Sequence, residues 1–128
     1  MRLERELMRG AGPIAVMKLL STGEMYGYEL VQTLAQRTDQ VLAMGQSTLY
    51  PMLYNLEAKG LVTSRIDKTT GRRPRKYYRL TAKGKKKLTG DTQQWVALSQ
   101  ALVQLGVGPA SACKAALLPG PLTVGARA

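Results

Sequence analysis

The stretch from Gln46 to Gly60, QSTLYPMLYNLEAKG, narrows what this chain can fold into more than any other segment. Read as a helix, it has an apolar face made of Leu49, Met52, Leu53 and Leu56. The opposite face consists of Ser47, Tyr50, Pro51, Tyr54 and Asn55. It contains hydroxyl and amide groups and no carboxylate. The apolar face requires a core, and the polar face suits a helix in a DNA major groove. An ordinary amphipathic surface helix has the same pattern. The neighbouring segments are therefore needed to distinguish it from a DNA-recognition helix.

Positive charge is concentrated in one segment of the chain. The formal net charge is +11 over 128 residues, and residues 65–87 contain eleven basic residues against one acid, Asp67. Eleven minus one leaves +10 in that segment, which implies a polyanionic partner. Since the segment lacks the sustained apolar face of an interfacial helix, nucleic acid is favoured over an anionic membrane surface.

Two scarce residue types exclude several functions. The chain has no histidine and a single cysteine, Cys113, so a His/Cys zinc site and a serine or cysteine protease triad are excluded. We predict no metal, no cofactor and no enzymatic activity. One cysteine excludes an intrachain disulfide, although it can still link two chains, and fits the cytoplasm. The start of the chain, MRLERELMRG, resembles no signal peptide, and no run approaches the roughly 18 apolar residues of a membrane span.

The first part of the chain predicts a short leading helix and then two longer helices before the central stretch. Residues 2–9 predict a short charged helix that ends at Gly10 and Gly12, and Pro13 then begins a new, largely apolar helix. Residues 26–37 predict the next helix from the spacing of their apolar side chains.

The central stretch itself predicts a third helix from Ser47 to Lys59. Ser47 or Thr48 offers an N-cap, and Gly60 offers a C-terminal stop. Three helices in this order fit a helix-turn-helix core, although compact three-helix units serve many purposes.

Two short alternating segments follow, and residues 61–67 and 75–80 predict strands. The connecting KTTGRRPR contains a glycine for the turn, a proline that resists strand pairing and three arginines. A hairpin with an arginine-rich tip directly after a candidate recognition helix indicates the wing of a winged helix. If the tip served only solubility, Asp and Glu would serve as well as Arg, but this tip contains neither. The residues expected to contact phosphates or the minor groove are Arg72, Arg73, Arg75 and Lys76.

The C-terminal part predicts one long helix. Thr81 is its predicted cap, and the helix is expected from Ala82 to about Leu105. Heptad spacing predicts a dimer seam of Leu88, Trp95, Leu98, Leu102 and Leu105. The alternative is that this helix packs on its own domain. Residues 106–128 are rich in Gly and Pro and predict a flexible tail.

Three segments carry a family resemblance: MYGYEL at 25–30, STLYPMLYNLEAKGLV at 47–62 and GRRPRKYYRLTAKGKKKL at 71–88. In this order and spacing they resemble the successive signatures of the PadR family of bacterial transcriptional regulators. The likeness covers about residues 7–105. It implies a winged helix-turn-helix, a homodimer formed through the C-terminal helix, and repression by binding a partly palindromic operator. The single C-terminal helix resembles the compact subgroup of this family.

Trp95 resembles the tryptophan that some multidrug-responsive members carry in that helix, where the dimer encloses an apolar pore for flat aromatic ligands. The resemblance implies a small planar aromatic effector, and a tryptophan pair at a seam offers a large stacking surface. The alternative is that Trp95 only packs the dimer. Gly12 and Pro13 depart from the family pattern and predict a later start of the first helix.

Together these observations predict a mainly α, α+β chain with three parts. Residues 1–80 form a winged helix-turn-helix, 81–105 a dimerisation helix and 106–128 a tail. The residues predicted to face the major groove are Ser47, Thr48, Tyr50, Pro51, Tyr54 and Asn55. Tyr26 and Tyr28 are expected to anchor phosphate beside a helix N-terminus. The chain is predicted to be a dimeric repressor that binds double-stranded operator DNA. A small aromatic effector is expected to release it from the operator. An effector-independent or architectural DNA binder and a protein-interaction module stay open.

Overall fold

The computed structural model describes residue 1, residues 3–69, residue 71 and residues 73–111. Within these residues the chain forms four helices and one small antiparallel sheet. In chain order the elements are α1 (Arg5–Leu20), β1 (Met25–Tyr26), α2 (Gly27–Arg37), α3 (Gln46–Ala58), β2 (Val62–Asp67), β3 (Arg75–Leu80) and α4 (Ala82–Gln104). The predicted α+β class and the helix-turn-helix with a hairpin wing are confirmed.

The chain divides into a first unit that ends at Asp91 and a second unit that begins at Thr92. The first unit includes the start of α4 in addition to all earlier elements, because Gly84 and Leu88 are buried. This division falls later than the boundary that we predict after residue 80. Most of the predicted tail, 112–128, lies outside the described residues, and so does Cys113.

A cluster of buried apolar side chains forms the core of the first unit. The largest fully buried members are Met17, Leu30, Leu34, Leu49, Leu53, Val16 and Val62. In α3 the buried residues are Leu49, Leu53 and Leu56, while Met52 is half-buried. The apolar face predicted for the central stretch is therefore its core face.

Helix α1 is continuous, so the predicted break at Gly10 and Gly12 is wrong, and so is the predicted restart at Pro13. A proline inside a helix removes one backbone hydrogen bond to the carbonyl four residues earlier. Here that carbonyl belongs to the exposed Arg9, where water can solvate it. The buried positions Met8, Gly12 and Val16 recur every four residues through the proline, and their common packing outweighs its local cost.

The start of α3 also differs from the sequence-based expectation. The helix begins at Gln46 and its N-cap is Gly45, which has no side chain to cap with. Ser47 and Thr48 lie inside the first turn and are exposed, so neither is the N-cap that we predicted. Glycine is an acceptable N-cap residue, and this start frees both hydroxyl side chains for external contacts.

The sheet has three strands in the order β1-β3-β2, all antiparallel. Strands β2 and β3 are the predicted hairpin, in a register that pairs Val62 with Leu80 at its base and Asp67 with Arg75 at its outer end. Strand β1 was not predicted, because two residues are too few to show alternation. It joins the sheet by pairing Met25 with Tyr78 and Tyr26 with Tyr77.

The start of α4 is tied to the end of α3 through Thr81. The Gly84 N–H donates to Thr81 Oγ1 at 2.9 Å, which confirms the predicted cap. The same hydroxyl lies 2.7 Å from the carbonyl oxygen of Gly60, to which it donates. Gly84 approaches the carbonyl oxygen of Leu61 so closely that a Cβ would overlap it.

We expect Gly84→Ala to lower the free energy of unfolding by about 1–3 kcal/mol, because the overlap is with backbone, which cannot rotate away. Gly90→Ala in the same helix is the matched control, since nothing lies within 4 Å of its Cβ position. Alanine there should raise stability by roughly 0.5–1 kcal/mol through helix propensity. Urea unfolding followed by circular dichroism measures both, and equal stabilisation of the two variants would contradict the close packing.

Candidate nucleic-acid interface

The polar face of α3 lies at the surface of the first unit. All six side chains predicted to face DNA are exposed: Ser47, Thr48, Tyr50, Pro51, Tyr54 and Asn55. Ser47, Pro51 and Tyr54 lie opposite the buried leucines, and we call these three residues the crest of α3. Tyr54 is 75% exposed, so the crest presents an aromatic hydroxyl to a partner.

Tyr50 lies to one side of the crest and is only 41% exposed, because its ring packs on the backbone of Gly27. A Cβ at Gly27 would lie 2.5 Å from Cε1 of Tyr50. The absence of a side chain at Gly27 therefore lets the start of α2 approach α3. Tyr50 is part of this helix contact as well as of the exposed face.

A cleft of about 860 Å³ separates that side of α3 from the hairpin. We call it the wing cleft. It brings together six of the residues that the sequence predicts for DNA binding: Tyr26, Tyr28, Tyr50, Arg73, Arg75 and Lys76. The cleft thus combines aromatic hydroxyls from β1, α2 and α3 with cations from the hairpin. Arg72, the remaining predicted wing residue, lies outside the described residues.

Gln46 also lines the wing cleft, and our sequence analysis did not select it. Its signal is its position one turn before Tyr50, because residues four apart lie on the same side of a helix. With its amide it adds a donor and an acceptor beside the tyrosine hydroxyls.

Contacts between aromatic rings and cations hold the hairpin next to the start of α2. The guanidinium of Arg75 lies 4.5 Å from the ring centroid of Tyr26. The Tyr26 ring meets Tyr77 edge to face at 5.5 Å, and Arg65 lies 4.8 Å from the Tyr77 ring. Tyr26 is half-buried, so its main contacts are with the wing, whereas Tyr28 is exposed. Cation–π pairs of this kind orient an arginine at modest energetic gain.

Acidic side chains organise the hairpin. Glu24 accepts two hydrogen bonds from Arg65, and these lower the pKa of the Glu24 carboxyl below its ordinary value. Asp67 accepts hydrogen bonds from the N–H and hydroxyl of Thr69 at 2.9 and 2.6 Å, which lower the pKa of Asp67. Both carboxylates thus stay ionised at neutral pH, and they hold Arg65 within β2 and Thr69 just after it.

Glu57 of α3 connects the recognition helix to the sheet. Its carboxylate accepts a hydrogen bond of 2.7 Å from the Ser64 hydroxyl and lies 3.9 Å from the Lys76 ammonium group. Tyr78, which lies 5.5 Å from the same ammonium group, is buried, and burial raises the pKa of its phenol. Lys76 is therefore partly neutralised within the fold, and its predicted contact with DNA stays a prediction.

The second unit presents the later part of the predicted seam. Trp95 is 43% exposed, and Leu98, Leu102 and Leu105 are exposed as well. Leu88 differs, because it is buried in the core of its own chain. The prediction that Leu88 meets a second chain is therefore corrected: its side chain stabilises the first unit. The apolar surface available on α4 begins beyond it.

Within the described part of the chain, no helix has the length and apolar character needed to cross a membrane. The same residues contain no group of three or more His, Cys, Asp or Glu side chains arranged to hold a metal ion.

Helices α2 and α3 with the β2–β3 hairpin define a winged helix-turn-helix domain of the class found in transcriptional regulators. The sequence model of the "Transcriptional regulator PadR-like family" matches residues 16–90. The chain belongs to this family, and the resemblance seen in the sequence is confirmed. Since the family consists of transcriptional regulators, membership agrees with our prediction that the chain is not an enzyme.

Similar proteins support this assignment. The transcriptional regulator Rv3488 of Mycobacterium tuberculosis is 36% identical over 87 residues, 68% of this chain and 78% of that protein. A PadR family regulator from Eggerthella lenta has 38% identity and a TM-score of 0.66, over 78% of this chain and 85% of that one. Bacillus subtilis PadR, solved in complex with operator DNA, has 28% identity and a TM-score of 0.58, over 67% of this chain and 46% of that one.

The lowered pKa of Glu24 predicts a pH dependence. Because the folded-state pKa lies below the ordinary value of 4.5, the Glu24–Arg65 pair stabilises the fold above that pH and is lost as pH falls through the lowered pKa. Wild type should therefore exceed Glu24→Gln in stability at pH 7, and the difference should shrink as pH falls below 4.5 and through the lowered pKa.

Thermal unfolding between pH 3 and 7 measures this convergence. Glu6→Gln is the control, because Glu6 has an 83% exposed side chain and lies 3.7 Å from Arg9 on the same helix. A constant gap between wild type and Glu24→Gln across the range would show that the pair does not stabilise the folded hairpin.

Proposed function

We propose that this protein is a dimeric, sequence-specific DNA-binding repressor that places α3 in the major groove. One observation carries the proposal: the uncharged polar crest of α3 lies directly beside a cleft walled by the cations of the wing. Base edges are read by hydroxyl, amide and methyl groups, and phosphates are bound by arginine and lysine. The operator complex of Bacillus subtilis PadR supports the same partner for this chain.

The crest contributes selectivity in this proposal. Ser47 and Tyr54 donate to or accept from base edges, and Pro51 makes apolar contact with thymine methyl groups. Thr48 and Asn55, on the side of the crest away from the wing, extend the set of base contacts. Since α3 contains no arginine or lysine, these contacts add little electrostatic affinity.

The wing contributes affinity. Arg72, Arg73 and Arg75 are proposed to neutralise phosphates or to enter the adjacent minor groove. Tyr28 and the N-terminus of α2 bind a further phosphate, because unpaired backbone N–H groups at a helix start favour anions. Such a role requires access to the chromosome and so places the protein in the cytoplasm.

The exposed apolar residues in the second half of α4 and directly after it support a homodimer in which Trp95, Leu98, Leu102 and Leu105 meet their counterparts. A two-fold dimer presents two recognition helices to half-sites about one DNA turn, roughly 34 Å, apart. A tryptophan pair at the seam offers stacking surface for a planar aromatic effector, which releases the repressor from its operator. An effector-independent regulator would have the same DNA contacts without this response.

We expect Arg72→Ala combined with Arg73→Ala to weaken operator binding on the order of tenfold at 0.1 M salt. Two lost phosphate contacts should also reduce the slope of log affinity against log salt by about two. An electrophoretic shift with the promoter DNA beside the protein's own gene, repeated at several salt concentrations, measures both quantities.

The matched control for the wing variant is Lys18→Ala combined with Arg37→Ala. It removes the same charge from exposed positions that line neither cleft beside α3. Equal behaviour of the two double variants would refute the wing contacts. Failure of the wild-type protein to shift any DNA would refute DNA binding itself.

The α4 seam can be tested through Trp95, the single tryptophan of the chain. We expect planar aromatic compounds to quench its fluorescence in wild type and not in Leu98→Lys combined with Leu102→Lys, which should sediment as a monomer. Gln93→Lys combined with Gln100→Lys adds the same charge on the opposite side of the helix and should stay dimeric and responsive. Quenching in the first variant, or none in wild type across a broad panel, would contradict the effector proposal.

A further inference from the structure

A second cleft, of about 800 Å³, lies between α1 and α3. We call it the α1 cleft. One wall comes from the first half of α1, with Arg5, Met8 and Arg9, and the other wall comes from α3, with Thr48, Asn55 and Lys59.

The α1 cleft and the wing cleft flank α3 on opposite sides. Gln46 and Tyr50 line the wing cleft, whereas Thr48, Asn55 and Lys59 line the α1 cleft. At about 100° per residue these two sets lie roughly 180° apart around the helix axis. The crest of α3 therefore lies between two concave surfaces.

The charge of the α1 cleft is entirely positive among the described residues that line it. Arg5 and Arg9 are one turn apart on α1, so their guanidinium groups share one face, and both residues are exposed. Lys59 adds a third cation from the end of α3. Arg9 lies 3.7 Å from Glu6, but both side chains are more than two-thirds exposed, and such a pair is weak enough for a phosphate to displace.

A helix that lies in the major groove has a phosphate strand on each side of it. The groove is about 12 Å wide, which brings both strands within reach of elements that flank the helix. The wing can neutralise only the strand on its own side. The α1 cleft presents cations on the other side, in direct continuity with Thr48 and Asn55 on the face of α3 that reads bases.

We propose that Arg5 and Arg9, with Lys59, bind the DNA phosphate strand on the side of α3 opposite the wing. This inference rests on the proposed function, because it takes α3 to be the recognition helix. The recognition helix is then held between two cationic edges, which sets its depth in the groove. Contacts of this kind carry no sequence information, so they strengthen binding to operator and to unrelated DNA by the same factor.

The test compares Arg5→Ala combined with Arg9→Ala against wild type and the Lys18/Arg37 control variant. We expect the affinity for the operator fragment and for an unrelated duplex of equal length to fall by a common factor, on the order of tenfold at 0.1 M salt. The salt slope should fall by about two. Arg5→Lys combined with Arg9→Lys keeps the charge and should retain the slope.

Neutral methylphosphonate linkages locate the contact on the DNA. Placed in the strand opposite the wing, they should weaken binding of wild type and have no further effect on the Arg5/Arg9 alanine variant. If that variant binds with the slope and affinity of the Lys18/Arg37 control, or if only operator binding weakens, the inference is overturned. Wild type that binds no DNA overturns the proposed function instead, so the two failures are distinct.

Discussion

The pairing of β1 with β3 is the constraint on which the candidate interface depends. Strand β1 runs directly into α2, and β3 is one arm of the wing, so the pairs Met25–Tyr78 and Tyr26–Tyr77 fix the hairpin against the start of the helix-turn-helix. The Tyr26 ring reinforces this by contacting Tyr77 and Arg75. Without this pairing the hairpin would be more mobile relative to α2, and binding a partner would then cost more conformational entropy. The two residues of β1 thus bring the wing cations beside α3 before any partner arrives.

Some cations of the hairpin pair with carboxylates of the same fold, and others are available to a partner. Near the sheet, Glu24 binds Arg65 and Glu57 lies near Lys76, so those cations help to define the fold. Arg73 lines the wing cleft with an exposed side chain, closer to the turn of the hairpin. The net charge of +11 therefore overstates the field at the wing cleft, where Arg73, Arg75 and Lys76 are the cations among the described lining residues. Because these ion pairs are exposed, salt weakens them as it weakens phosphate binding.

The elements with strong periodicity were predictable from sequence, and the tertiary contacts were not. Helix α3 and the hairpin follow from the spacing of Leu49, Leu53 and Leu56 and from the alternation of β2 and β3. The contact of Tyr50 with Gly27 depends on how two helices meet, which no local pattern encodes. The heptad spacing placed Leu88 at a seam, but the same spacing also fits a helix whose first turns complete a core. Six of the predicted site residues lie around one cleft, because the family motifs had already grouped them.

The continuity of α1 through Pro13 changes what its arginines can do. Had the chain broken near Gly12, Arg5 and Arg9 would belong to a tether, and ordering that tether would offset much of what a phosphate contact contributes. In the continuous helix the buried Met8 and Val16 anchor the same element that presents both guanidinium groups. Their positions relative to α3 are thus set by the core. Cations placed in this way constrain the depth and angle of a recognition helix in the groove. Cations on a flexible arm would only raise the local concentration of the protein near DNA.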